Sequence, residues 1–510
     1  MDINLTKHSI KSEEHLFSDT LEIGIEETLH LNGAKQPKKI LKCSGKTVVT
    51  SKYISDKTVT VEGTVCVSII YLDTNNCLSN YEHNSFFSKT AEANNDLTDG
   101  EATVRIIDEK FFAKIGGDCI VNISAHSSLE VTVIREKEKE MVCDIDQKCI
   151  EQLHSKIDST APISFGEKNL VLEEEISVGN SQPAVDCVIR NNATAVIDET
   201  KIMGGKVMVK GTVKVYVLYH SVEGTRPQCF EESFPFSQLI DVQGITEDCR
   251  VDSFVKILFC ELAPHSMGDE EIRSFTVSLK LGVSVKAYCE EEIPAVIDAY
   301  STLGGYSFKR ETVSFKKLKE SFCERFIARK NLEFTDGAIG SVIDMWCEVK
   351  GSTHKFEGQT LKITGTVLVN LLAYDCDGTP ECYERPMDFE YTYTSKEQLC
   401  SPSAMYDITV GNCSYTITAA NTVAVAVEPQ VSVSIYDNMK KEILVDVVQD
   451  ESAAPINRRQ SSIVLYFAET GEKLWDIARR YNSSVEEIKT INSFTDDVLL
   501  SPKKFIIPTK

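Results

Sequence analysis

The chain has 510 residues, 42% of them hydrophobic, and its 54 Lys and Arg face 77 Asp and Glu, for a net charge of −23. That length fits about three to four domains with real cores rather than a disordered chain. The acidic balance disfavours nucleic acid and anionic lipid as partners, no apolar run approaches the ~20 residues of a membrane span, and residues 1–5 show no start of an export signal.

From the N-terminus, the first clear element is a β-strand ending in Glu62-Gly63-Thr64-Val65-Cys66-Val67-Ser68-Ile69-Ile70-Tyr71. It recurs as Lys210-Gly211-Thr212-Val213-Lys214-Val215-Tyr216-Val217-Leu218-Tyr219. A third copy reads Thr364-Gly365-Thr366-Val367-Leu368-Val369-Asn370-Leu371-Leu372, with Ala373 in place of the tyrosine. Each copy is preceded by an alternating strand (51–61, 197–209, 352–363) and followed by a turn. Next come Tyr81-Glu82, Phe230-Glu231 and Tyr383-Glu384, and six residues past each aromatic stand Phe87, Phe236 and Phe389. A strand pair closes each copy, at 129–145, 281–297 and 431–448.

Val, Ile, Thr and Tyr alternate with polar residues at period two, which buries one face of each strand and wets the other. A repeat near 150 residues is domain-sized, so the expectation is three tandem β-sandwich-like domains at 1–150, 151–305 and 306–450. Residues 315–330 read as a short helix between the second and third. Asp375-Cys376-Asp377-Gly378 resembles part of a calcium loop, but lacks the closing glutamate and aligns with the hairpin turns of the other copies. The seventeen cysteines are scattered singly without a C-x-x-C pair, so reduced, mostly buried thiols of a cytosolic protein are expected rather than a disulfide framework.

A polar linker at 451–460 leads into a small βααβ unit at 461–510. Ile463-Val464-Leu465-Tyr466 opens it as a strand. Leu474, Ile477, Ala478 and Tyr481 share one helical face, spaced i, i+3, i+4 and i+7. Ser484-Val485-Glu486-Glu487 reads as a capping box opening a second helix, with Val485, Ile488 and Asn492 on its inner face. Phe505-Ile506-Ile507 closes as a strand before Pro508. Trp475 lies beside the buried stripe, as a cap on the core or as a contact residue, tryptophan being enriched in binding hot spots. The unit is neutral, so the whole −23 resides in residues 1–460. Lys473, Arg479, Arg480, Lys503 and Lys504 form either a basic patch or a mixed, solvated surface.

Gly471, Leu474, Trp475, Ile477, Ala478, Tyr481, Asn492, Ile506 and Pro508 make this unit resemble a LysM domain. The β-repeats resemble SPOCS domains, and the order of modules is similar to the SipL family of clostridial spore-coat morphogenetic proteins. That resemblance implies a non-enzymatic adaptor in the mother-cell cytoplasm, recruited to the forespore surface. Its LysM domain would bind SpoIVA, the ATP-hydrolysing protein of the coat basement layer, and other spore-coat proteins are possible partners. It implies no cofactor, no metal and no insertion into membrane. Glu472-Lys473 and Lys503-Lys504 depart from the family pattern in loops that face the sugar groove of glycan-binding members, which makes glycan binding doubtful. The alternative is a peptidoglycan-binding LysM protein that recognises the N-acetylglucosamine polymer. The expected protein-binding residues are Ile463, Lys473, Leu474, Trp475 and Ile477. Of these, Leu474 and Ile477 would hold the fold, while Ile463 and Trp475 would touch the partner. No phosphate loop, G-x-S-x-G or H-E-x-x-H motif supports a catalytic reading.

Overall fold

The computed structural model describes residues 3–31, 34–222, 224, 226–265, 271–334, 339–450 and 463–508. The linker expected at 451–460 lies outside the described residues.

The β-rich part builds the same arrangement three times. In the first, β1 (Asn4–His30), β6 (Ile120–Asp146) and β5 (Glu101–Gly117) form one sheet, in that order. The hairpins of β2 (Pro37–Ser55), β3 (Thr58–Asp73) and β4 (Leu78–Glu92) form a second. Alternation fixes which side chains meet between them: Val59, Val61, Val65, Val67, Ile69 and Tyr71 from β3 pack on Val121, Ile123, Leu129, Val131 and Val133 from β6.

The second unit repeats this with β7 (Ile150–Ser177), β12 (Ser274–Ser301) and β11 (Arg250–His265), against β8 (Val185–Met203), β9 (Lys206–Ser221) and β10 (Gln228–Asp241). The third uses β15 (Ile339–Glu357), β16 (Thr360–Asp375) and β17 (Pro380–Thr394). They face β13 (Tyr306–Arg325), β14 (Ala328–Glu333), β18 (Pro402–Ala419) and β19 (Thr422–Gln449), with β13, β14 and β18 all paired to β19.

The repeated glycine and phenylalanine are cross-strand partners: Gly63 faces Phe87, Gly211 faces Phe236 and Gly365 faces Phe389. A Cβ on Gly211 would sit 2.2 Å from the Val196 carbonyl oxygen and 2.5 Å from the Phe236 ring. The ring edge approaches the bare backbone closely, and only glycine leaves it that room.

The helix expected at 315–330 is absent. Those residues continue β13 through Arg325 and resume in β14 at Ala328. Phe315, Leu318, Phe322 and Phe326 fall at helix-like spacing because the register of β13 shifts between Leu318 and Glu320. One extra residue at a bulge turns a period of two into an apparent three. Asp375 caps a hairpin turn, its Oδ1 accepting from the N–H groups of Asp377 and Thr379 at 2.9 and 2.8 Å. Asp73 does the same for Asn75 and Cys77.

The cysteine expectation also needs correction. Cys249 and Cys289 are bonded, 40 residues apart in sequence. Cys77, Cys229, Cys323, Cys376 and Cys400 are exposed, because they sit in turns and at strand ends, which single spacing does not reveal.

The three units close into a ring. At one junction Ile10, Met141 and Cys143 of the first unit meet Ile157, Ile293 and Ala295 of the second, and Val313, Phe315 and Ile443 of the third. At the other, Ile70, Leu218 and Leu372 meet, each seven residues past its repeat glycine, together with Leu41, Ile189 and Ile343. Those last three occupy the same bulge in β2, β8 and β15, where the register slips just before Lys42, Arg190 and Asp344. The bulge turns an otherwise outward residue toward the neighbouring unit.

Polar groups latch the ring around this apolar centre. Arg190 Nε donates to Asp344 Oδ2 at 2.8 Å, and the Tyr216 hydroxyl donates to Oδ1 at 3.0 Å. The guanidinium also lies over the rings of Tyr216 and Trp346, at 5.1 and 4.6 Å. Two of the repeat glutamates bridge units: Glu384 accepts from Lys42, and Glu82 from Asn191.

Candidate protein-binding site

The C-terminal unit is a two-stranded antiparallel sheet, β20 (Ile463–Ala468) with β21 (Lys503–Pro508), packed on two short helices, α1 (Leu474–Tyr481) and α2 (Val485–Asn492). Fifty residues make a small core, so each contact matters. Ala468, Leu474, Ile477, Ala478, Ile488, Leu499, Phe505 and Ile507 fill it. Leu474 and Ile477 are fully inside, at 0% and 1% exposure. Asn492 pins the closing strand: its Oδ1 accepts from the Ile506 N–H at 2.9 Å, and its Nδ2 donates to the Ile506 carbonyl at 2.6 Å.

Ser484 stands at the N-cap of α2, just before Val485, but its hydroxyl makes no capping bond, contrary to the expected capping box. The helix is held from the preceding residue instead. The Ser483 hydroxyl donates to the Pro508 carbonyl at 2.5 Å, and the Ser483 carbonyl accepts from the Tyr300 hydroxyl at 2.7 Å.

Tyr300 belongs to β12, yet it is buried in the core of the C-terminal unit. Burial pushes its phenol up from the ordinary value, so it stays a donor. Its ring meets Trp475 edge-on at 5.0 Å. Asp298, two residues earlier in β12, accepts from Trp475 Nε1 at 2.9 Å and from Arg479 Nη1 at 2.7 Å through Oδ2. Its Oδ1 takes Arg310 and the Ala299 N–H. Trp475 thus lies at the edge of its own core and against the β-body.

The outer side of the sheet is different. Successive outward residues of β20, Ile463, Leu465 and Phe467, are 61%, 50% and 68% exposed. They form an apolar row on the side away from the helices. Lys504 lies over the Phe467 ring at 5.0 Å, and Lys503 over Phe494 at 4.7 Å. Lys473 is the N-cap just before α1, and the loop around it is tied to the loop before β21. There the Leu474 N–H donates to the Asp497 carbonyl at 2.8 Å and Gly471 N–H to Leu499 at 2.7 Å. The five basic residues therefore do not form one patch: Arg479 turns to the body, Arg480 donates to the Tyr466 hydroxyl, and the two C-terminal lysines sit over aromatic rings.

Sequence reasoning singled out Ile463, Lys473, Leu474, Trp475 and Ile477, and did not single out Leu465 and Phe467, which are exposed on the same side of β20 as Ile463. The alternation of Ile463, Leu465 and Phe467 was the available signal, since the other side of β20 also carries apolar residues and one face of a two-stranded sheet must stay open. Asp298 and Tyr300 carried no signal at all.

The family comparisons agree with this architecture. A family model described as "SipL, SPOCS domain" matches residues 36–115 and 184–263, the β2–β5 and β8–β11 portions of the first two units. A LysM domain model matches residues 469–508. The third unit lies outside these matches but shares their strand order. No curated protein and no solved structure matches the chain. SPOCS and LysM are non-catalytic domain families, and together they fit a spore-coat-associated protein. No helix among the described residues is long and apolar enough to cross a membrane. The chain has the SipL architecture, SPOCS domains followed by a C-terminal LysM domain.

Proposed function

We propose that the chain is a non-enzymatic adaptor of spore-coat assembly, acting in the mother-cell cytoplasm at the forespore surface, whose LysM domain docks on SpoIVA. The observation that carries this reading is the exposed row Ile463, Leu465 and Phe467 on the outer side of the LysM sheet. A contiguous apolar row on so small a module, with lysines at its rim, has the character of a protein-recognition surface. Ile463 stands at its end as a direct contact, and Lys473 lies on the loop beside the sheet. Leu474 and Ile477 support the surface from within the core. The ring of SPOCS units leaves its outer faces for further coat proteins. Because the basement layer is polymerised, several copies held along it would gain avidity from weak single contacts.

The test is a pull-down of SpoIVA by the full chain carrying Ile463→Asp or Phe467→Asp, beside sedimentation of the same proteins with purified peptidoglycan. Docking predicts that either substitution abolishes SpoIVA recovery while circular dichroism stays unchanged. Unchanged recovery in both variants overturns the assignment of the surface. Sedimentation with peptidoglycan and no SpoIVA recovery by the parent would replace the reading with the glycan-binding one.

A further inference from the structure

The LysM domain meets the SPOCS body through a small set of groups that are unusually complete for a contact between modules. The Asp298 carboxylate is 17% exposed and receives four donors. Two of the four, the Trp475 indole N–H and the Arg479 guanidinium, come from the LysM domain. A carboxylate so enclosed must be paired, because an unpaired buried charge is costly. Tyr300 is 6% exposed and lies inside the LysM core, where its hydroxyl reaches the Ser483 carbonyl and its ring meets Trp475. Separation of the two modules would put this ring in water and remove a wall from a core that has few others.

We infer that Asp298 and Tyr300 form a clasp that holds the LysM domain on the SPOCS body, with Trp475 as its anchor on the LysM side. The clasp fixes the direction in which the domain faces. It covers the α1 side and leaves the outer side of the sheet, with Ile463, Leu465 and Phe467, pointing away. Trp475 then acts on any partner through orientation rather than contact, a consequence that rests on the docking function proposed above. Tryptophan suits the anchor because one side chain supplies both an N–H for the carboxylate and a ring for Tyr300. Arg479, one helical turn later on α1, adds the charge that Asp298 requires.

The chain has two tryptophans, Trp346 and Trp475. In a Trp346→Phe background, Trp475 therefore reports alone. The clasp predicts blue-shifted emission poorly quenched by acrylamide. In the same background Asp298→Ala, Tyr300→Ala and Arg479→Glu each shift the emission to longer wavelength and raise the quenching constant severalfold. Small-angle scattering of the full chain shows a larger radius of gyration for the three variants. Two of the substitutions lie in the body and one in the LysM domain, so a folding defect in one module cannot produce the same result from both sides. A far-ultraviolet circular dichroism spectrum equal to the parent's identifies the variants that remain folded. Unchanged quenching and an unchanged radius in folded Asp298→Ala and Arg479→Glu overturn the clasp. Neither readout involves SpoIVA, so failure of the clasp and failure of the docking surface are separate outcomes.

Discussion

Arg190→Ala tests whether the three β-units form one body. Arg190 lies on β8 of the second unit and Asp344 on β15 of the third, with side chains 14% and 7% exposed. Removal of the guanidinium leaves the Asp344 carboxylate buried with, among the described residues, the Tyr216 hydroxyl and the Met345 N–H as its remaining donors. It also vacates the space between the rings of Tyr216 and Trp346. Loss of one partner of a buried pair costs about 3–5 kcal/mol. The ring contacts would each be worth ~0.5–2 kcal/mol alone, but they overlap with the same loss and do not add to it. The expected destabilisation is therefore about 3–5 kcal/mol, read as a lower urea midpoint of the β-body at unchanged slope. Arg190→Lys keeps the charge but not the fork or the stacking, and should fall between parent and alanine variant. The double variant Arg190→Met with Asp344→Leu removes both charges at similar volume and should recover most of the loss. A loss below ~1 kcal/mol for Arg190→Ala, the range of exposed pairs, would refute the latch and with it the closed ring.

Gly211→Ala should destabilise the second unit by ~1–3 kcal/mol or more, since the new methyl meets the Val196 carbonyl as well as the Phe236 ring. Gly351→Ala, with no heavy atom within 4 Å of its added methyl, should stay within about 0.5 kcal/mol and serves as the thermal-denaturation control. The His220 imidazole is held below its ordinary pKa first by burial and then by Lys35, against Asp186 and Asp73. A depressed folded pKa means that the unfolded chain binds more protons, so this contribution is complete above about pH 6.5 and declines as pH falls from there toward the folded value. His220→Gln should flatten that part of the stability-against-pH curve, and an unchanged slope would exclude His220 as its source.

The sequence carried the parts of this fold that depend on local pattern. Period-two alternation gave the β class, and the recurring glycine with its later phenylalanine marked a shared unit whose meaning is a cross-strand pair. Where the chain departs from alternation, pattern misleads: the bulge at Leu318–Glu320 imitates a helix, and those before Lys42, Arg190 and Asp344 hide the residues that join the units. Contacts between units are invisible for another reason. Asp298 and Trp475 are 177 residues apart, and nothing in either neighbourhood names the other. The LysM helices were legible from the stripe at Leu474, Ile477 and Ala478. The capping box was not realised because Ser483, tied to Pro508 and Tyr300, places the start of α2. Trp475 was legible as a residue beside the buried stripe, but its neighbours Asp298 and Tyr300 are a feature of the folded body.

The most direct measurement is the affinity of the full chain for SpoIVA, compared between the parent and Ile463→Asp. The docking account predicts a loss of at least tenfold, with an unchanged Trp475 emission spectrum for Ile463→Asp in the Trp346→Phe background showing that the LysM domain is folded and in place. Equal affinities, with both proteins folded, would contradict it.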